Sequence, residues 1–175
     1  LLPKDIAEHG GDPIMSRTGH SFIKAKLKET GAALGGEMSG HIFFKERWYG
    51  FDDALYTGAR LLEIMSKTNK TCAEVFADLP DSINTPEINI HFDEQGDQFK
   101  AMDKLATNVN FEGAEITTID GVRVDYPNGW GLVRPSNTTP CLVLRFEADN
   151  QKTIEEIQTK FRIWLEANDI PTKDF

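Results

Sequence analysis

Glu37, Ser39 and His41 stand at every second position of "GGEMSGHIFFKERWYG", residues 35–50, with glycines on either side. If 37–41 is extended, side chains two apart fall on one face. A carboxylate, a hydroxyl and an imidazole then form a row that a single ligand can meet. An acceptor, a donor–acceptor and a switchable group suit the hydroxyls of a polyol, and the glycines permit close backbone approach. A polar turn in which Glu37 and His41 simply pair explains the same residues, and spacing alone weighs the two readings equally. Metal binding is the weakest reading, because no further ligand stands at zinc-like spacing.

A second cluster is "RPSNTTP", Arg134 to Pro140. Arg134 can grip a phosphate through two parallel hydrogen bonds, and Ser136, Asn137, Thr138 and Thr139 can add neutral donors. Pro135 and Pro140 stiffen the loop and reduce the entropy lost on binding. Ser, Asn, Thr and Pro are also ordinary turn residues, but four small hydrogen-bonding side chains in a row beside an arginine favour phosphate. A third cluster, "RTGHS" at 17–21, falls where a helix begins. His20 there can contact a phosphate or donate a proton; a cap built on Thr18 and Ser21 accounts for the segment nearly as well. The chain has no Walker loop, no G-x-S-x-G nucleophile and no dinucleotide fingerprint.

These clusters need elements to hold them. Apolar spacing predicts a helix from Leu1 to His9 that stops at Gly10-Gly11, then an extended "PIMS". Gly19 opens a helix that Gly31 ends, and "AALGGE" reads as a strand. "FDDALYTGARLLEIMSK" is the clearest helix, capped by Asp52 or Asp53 and burying Leu55, Ala59, Leu62 and Met65. "CAEVFADL" adds a shorter helix. Trp48, Phe43 and Phe44 read as core, and the charges of "FKERWYGFDD" as solvated. Residues 1–80 therefore read as α/β, a partial three-layer domain with a mixed sheet.

The two prolines of "LPDSINTPE" mark a linker and a boundary near Pro80 to Pro86. Beyond it come strands in "EINIHF", "EITTID", "VRVDY", "GWGLVR" and "CLVLRFEA". Helices are predicted in "DQFKAMDKLATN" and "NQKTIEEIQTKFRIWLEAN", the latter capped by Asn150 or Thr153 and burying Ile154, Ile157, Phe161 and Leu165. Residues 81–175 read as α+β with a mainly antiparallel sheet. "LPDSINTPE" is also the expected hinge between the two domains.

Composition narrows the partners. The 175 residues carry 28 acidic against 19 basic side chains, a net −9. Such a surface repels phosphate backbones and anionic lipids, which argues against nucleic acid and membrane as main partners while leaving room for a small anion held by local cations. Cys72 and Cys141 stand in no metal-like spacing, Cys141 reads as a buried small hydrophobe, and a reducing cytoplasm fits. The opening "LLPKDIAEHGG" is no signal peptide and reads like the middle of a fold, so a fragment is expected.

With these pieces assembled, "TGHS", "GEMSGHIFFKERWYGFDDALYTGARLLEIMSK", "TPEINI", "DGVRVDYPNGWGLVRPSNTTP" and "LVLRFEAD" resemble the C-terminal half of the α-D-phosphohexomutases, in the phosphomannomutase/phosphoglucomutase branch. The resemblance covers essentially the whole chain and implies most of a third domain, 1–80, and all of a fourth, 81–175, out of four around one cleft. It implies that Glu37 and Ser39 bind the sugar's 3- and 4-hydroxyls and that His41 is an acid/base near the reacting hydroxyl. It gives His20 a ligand contact and an acid/base role. Arg134, Ser136, Asn137, Thr138 and Thr139 would hold the phosphate that is not being transferred.

The implied reaction interconverts hexose 1-phosphate and hexose 6-phosphate of glucose or mannose. It passes through a phosphoserine and a glucose 1,6-bisphosphate intermediate, with Mg2+ as cofactor in a monomeric, cytoplasmic parent. The phosphoserine and magnesium loops belong to the family's first two domains, so this chain alone is expected to be inactive and to bind no metal. A stand-alone phosphosugar-binding module and a phosphoglucosamine mutase remain alternatives; Met38 in the sugar loop favours the glucose/mannose branch.

Overall fold

The computed structural model describes residues 2–79, 81–173 and 175. Leu1 and Pro80, which figure in the expected first helix and the expected boundary, lie outside them. The chain divides into two compact units, Leu1–Pro80 and Asp81–Phe175.

The first unit opens with α1 (Leu2–Glu8), which ends where Gly10 turns left-handed at φ 80° and the Gly11 N–H donates to the Ile6 carbonyl at 2.8 Å. The "PIMS" segment joins no sheet. Helix α2 (His20–Thr30) ends at left-handed Gly31, and its Ile23 and Leu27 pack with Phe43 in a small core. Strands β1 (Leu34–Gly36) and β2 (Ile42–Phe44) form an antiparallel hairpin, extended by a bridge from Phe43 to Asp52. No parallel pair occurs among the described residues.

Helix α3 (Ala54–Ser66) starts where the Asp53 side chain accepts the Tyr56 N–H. Its docked face is not the expected one. Leu55 and Leu62 are 88% and 70% exposed, Met65 is half-buried and Ala59 is exposed, whereas Tyr56, Thr57, Arg60 and Glu63 turn toward the hairpin. The reason lies in the partners on offer. The β2 end presents the Phe44 ring, which takes Tyr56 edge-on at 5.6 Å and the Arg60 guanidinium at 4.5 Å. Helix α4 (Cys72–Phe76) begins in a capping box, Thr71 with Glu74.

The second unit is α+β. Its strands are β3 (Ile83–Asn84), β4 (Ile88–His91), β5 (Glu115–Thr117), β6 (Val122–Tyr126), β7 (Gly129–Pro135) and β8 (Cys141–Ala148), and every pairing is antiparallel. β8 is central, flanked by β7 on one side and by β3 and β4 on the other. That position explains its near-continuous apolar run, Cys141 included. Helices α5 (Asp97–Thr107) and α6 (Gln151–Glu166) pack on the sheet. Alternate residues Val122, Val124, Val133, Leu142, Leu144 and Phe146 join Leu105, Ile154, Ile157, Phe161 and Leu165 in one core. Asn150 is the cap of α6, its side chain accepting the Thr153 N–H at 3.0 Å.

The supposed linker holds structure of its own. Ile83 and Asn84 pair with Ala148 and Glu147, and the Thr85 hydroxyl accepts the Phe146 N–H at 3.1 Å. Ile83 and Thr85, the β-branched residues on either side of Asn84, continue the β8 ladder between the prolines.

Candidate functional site

Glu37 to His41 forms the turn of the β1–β2 hairpin instead of an extended row. The Glu37 N–H donates to the His41 carbonyl at 2.9 Å, and the Gly40 N–H donates to the Glu37 carbonyl at 3.0 Å. Gly40 sits at φ 91°, a conformation that a side chain would strain. The segment is therefore reversed, and Glu37, Ser39 and His41 share a turn by folding back, not by alternation. Ser39 is exposed and Glu37 half-buried.

His41 does not pair with Glu37. Its Nδ1 lies 2.6 Å from Asp52 Oδ2, while Asp52 Oδ1 accepts the Ile42 N–H at 3.2 Å. The hydrogen bond to Asp52, followed by the charge of that carboxylate, raises the His41 pKa above its ordinary value; the charge of Glu37 adds a smaller push. Glu37 Oε1 is shielded from water and has no hydrogen-bond partner among the described residues. A carboxylate oxygen in that state is costly unless a donor arrives.

The segment after β2 is tied to α3. Arg47 takes a left-handed φ of 59° and donates twice to the Glu63 carboxylate, at 3.1 and 2.9 Å. Arg60 reaches Glu46 at 2.7 Å. Trp48 donates to Asp53 at 3.1 Å and stacks on Tyr56 with centroids 4.2 Å apart. The sequence predicts solvated charges in this segment; paired across the loop and α3, they instead tie the hairpin to the helix. Lys45, Arg47, Trp48 and Tyr49 line a cavity of about 370 Å³.

His20 is exposed in the first turn of α2, as a ligand contact requires. Gly19 occupies the cap position of α2 and makes no side-chain cap hydrogen bond. The Phe22 and Ile23 N–H groups donate to the Gly19 carbonyl, the first hydrogen bonds of the helix. Arg17 lies over the Phe22 ring at 4.4 Å.

In the second unit, Arg134 lies near the end of β7, and 136–140 form the loop to β8. Asn137, Thr138 and Thr139 are exposed and Arg134 is half-buried. Ser136 is turned inward: it is buried, and its Oγ meets the Thr138 and Thr139 N–H groups at 3.3 and 3.2 Å and the Thr139 hydroxyl at 2.9 Å. It organises the loop from inside while its neighbours face water. Gln98 completes the support, donating to the carbonyls of Ser136 and Thr139 and accepting the Gly96 N–H.

Two supporting residues escape a reading of the sequence. Asp52 stands out there only as a helix cap, a role that Asp53 fills. Gln98 does leave a signal, since it shares the buried stripe of α5 with Ala101, Met102 and Leu105. A polar residue in an apolar stripe needs partners. Among the described residues, no three His, Cys, Asp or Glu side chains come together to hold a metal ion. No helix among them is long and apolar enough to cross a membrane.

Comparison with known proteins identifies the family. Residues 1–83 match the family described as phosphoglucomutase/phosphomannomutase, alpha/beta/alpha domain III, and residues 87–163 match phosphoglucomutase/phosphomannomutase, C-terminal domain. A phosphoglucomutase of Neisseria meningitidis serogroup A is 59% identical over 96% of this chain, and a phosphomannomutase/phosphoglucomutase of Pseudomonas aeruginosa is 57% identical over 94%. The chain spans only 36% and 35% of those two proteins. The crystal structure of a phosphoglucomutase/phosphomannomutase family protein from Burkholderia thailandensis superimposes with a TM-score of 0.90 at 50% identity, over 99% of this chain and 37% of that one. The chain belongs to the phosphoglucomutase/phosphomannomutase family.

Proposed function

We propose that these residues are the substrate-recognition portion of a phosphoglucomutase/phosphomannomutase, an enzyme that interconverts hexose 1-phosphate and hexose 6-phosphate. The observation that carries this reading is the Glu37–His41 turn, where an unpartnered carboxylate oxygen and an anchored imidazole share one hairpin. The names of the relatives, phosphoglucomutase and phosphomannomutase/phosphoglucomutase, supply the reaction class.

Each residue then has a chemical task. Glu37 accepts and Ser39 exchanges hydrogen bonds with the sugar's 3- and 4-hydroxyls. Those hydroxyls lie near the axis about which a hexose 1,6-bisphosphate must turn to present its other end, so one pair of side chains serves both orientations. Neither contact reads C2, where glucose and mannose differ. Arg134 grips a phosphate through its forked guanidinium, with Asn137, Thr138 and Thr139 donating from the exposed loop. Ser136 acts by holding that loop's shape. His41 moves the proton of the reacting hydroxyl, and His20 contacts the ligand.

The phosphoserine and the magnesium ion are assigned to segments beyond these residues. Magnesium would neutralise charge on the phosphoryl group, and the tasks of Glu37, Ser39, His41 and the 134–139 loop do not run through it. The reading includes a monomeric cytoplasmic enzyme and no turnover by this chain alone.

An NMR titration with glucose 1-phosphate tests it. Shifts are expected at 37–41 and 134–139, with the first set lost in Glu37→Ala and the second in Arg134→Ala. A folded chain whose two loops stay silent at millimolar ligand would overturn independent recognition by these residues.

A further inference from the structure

Asp52 and Asp53 are adjacent carboxylates with separate work. Asp53 caps α3 and takes the Trp48 indole N–H, so the helix has no need of Asp52. Asp52 instead faces the hairpin, where the Asp53 N–H donates to the Ile42 carbonyl at 3.3 Å and the Phe43–Asp52 bridge pins its backbone. One of its oxygens accepts the Ile42 N–H; the other meets His41 Nδ1 at 2.6 Å. Both oxygens are thus committed, and the carboxylate cannot rotate without breaking a bond at each end.

A carboxylate can only accept, so the proton between Asp52 and His41 rides on Nδ1. In the neutral ring this leaves the lone pair on Nε2, at the far side of the imidazole. We infer that Asp52 is the positioning residue of this enzyme's acid/base: it selects the His41 tautomer with Nε2 unprotonated and fixes the ring plane, so that Nε2 can take the substrate's proton. The inference rests on the mutase reading proposed above.

In the transfer step the substrate hydroxyl's O–H bond breaks and its proton forms a new N–H bond with the Nε2 lone pair. The hydroxyl oxygen's electron pair forms a bond to phosphorus as the bond from phosphorus to the donor phosphate ester's oxygen breaks. His41 becomes an imidazolium that still donates from Nδ1 to Asp52, whose negative charge offsets the new positive one. The same ring then returns the Nε2 proton to a leaving oxygen in the second transfer. The charged groups acting on His41 are Asp52 from the strand side and, more weakly, Glu37 across the turn.

Asp52→Asn separates positioning from mere support. The Asn carbonyl oxygen can keep the Ile42 N–H, which turns the NH2 group toward His41 Nδ1. An NH2 group only donates, so the ring must present its Nδ1 lone pair and carry the proton on Nε2. Nitrogen-15 spectra of this chain should show the neutral His41 tautomer reversed in Asp52→Asn and its pKa lowered. In the full-length enzyme kcat should fall at least about 100-fold, the scale of a lost general base. KM should change little, and the acid limb of the pH profile should move to lower pH, because loss of the carboxylate makes His41 easier to deprotonate. An unchanged tautomer, or an unchanged kcat in Asp52→Asn while His41→Ala loses activity, would overturn the role of Asp52. Unchanged turnover in His41→Ala would instead overturn the acid/base reading itself.

Discussion

Gln98 donates from its side-chain amide to the Ser136 carbonyl at 3.2 Å, with no surface of its own exposed to water. The same amide reaches the Thr139 carbonyl at 3.3 Å, so one buried side chain spans both ends of the loop that presents Asn137 and Thr138. A loop held at two carbonyls keeps the exposed Asn137 and Thr138 side chains in place before a ligand arrives, which lowers the ordering cost of binding.

Gln98→Leu should therefore act twice. The Ser136 carbonyl and the Gly96 N–H lose the Gln98 side chain, while the Thr139 carbonyl keeps the Cys141 N–H at 2.8 Å; leaving a buried polar group unsatisfied costs about 1–3 kcal/mol. Urea denaturation should report a clear loss of stability, and phosphosugar titration a weaker response at 137–139. Unchanged binding in a folded Gln98→Leu chain would show that the brace serves stability alone.

The second unit is legible in the sequence because its signals are local and redundant. Alternation, turn residues and caps all point the same way in β4 to β8 and α6, and Ile154, Ile157, Phe161 and Leu165 are buried as their spacing predicts. The first unit is less legible. Leu55 and Leu62 have core-like spacing, yet α3 docks through Tyr56, Arg60 and Glu63, because cation–π and ion-pair partners across the hairpin are not visible in a helical period. The Glu37–His41 cluster is visible as composition; its shape is not, since a left-handed Gly40 converts alternation into a turn. The bond from His41 to Asp52 joins residues 11 apart and leaves no spacing motif.

Replacing residues on the two faces of the first unit tests that correction. Phe43 is fully buried, and Phe43→Ala should cost about 3–5 kcal/mol, as a large cavity does. Leu62→Ser, at an exposed position of α3, should stay within about 0.5 kcal/mol. Thermal melts of this chain compare the two. A large loss from Leu62→Ser would mean that the α3 face is covered in solution.

The ion-pair network predicts an acid limit. Two hydrogen bonds from Arg47, then one from Lys67, hold the Glu63 carboxyl down to about 2, well below an ordinary 4.5. Because the folded-state value is depressed, the contribution is complete above the unfolded value and is lost as pH falls from about 4.5 toward about 2. Both partners are partly exposed, so the effect is modest and weakens with salt. His41 has the opposite sign: its raised value makes its contribution present below the unfolded 6.5 and lost as pH rises through the folded value. The melting difference between the wild type and Glu63→Gln should shrink from pH 6 to pH 2. A constant difference would remove the network from the stability of the fold.

Gly121 links the core of the second unit to the 134–139 loop. It sits at φ 79°, and a Cβ built there would lie 2.1 Å from the Val133 carbonyl oxygen and 2.6 Å from the Arg134 Cα. Both obstacles are backbone, which cannot swing aside as a side chain can. Gly121→Ala must therefore push β7 outward at Arg134, the residue proposed to grip phosphate, and must strain a left-handed position besides. The expected cost is about 1–3 kcal/mol from the backbone conformation alone, with the contact added to it. Binding should suffer as well, because a small displacement of Arg134 breaks two parallel hydrogen bonds together. Gly113→Ala is the control: Gly113 is also left-handed, at φ 74°, but its Cβ would meet nothing within 4 Å. If both variants lose the same stability and neither alters the response of 134–139 to glucose 1-phosphate, the close approach at Gly121 has no bearing on the loop.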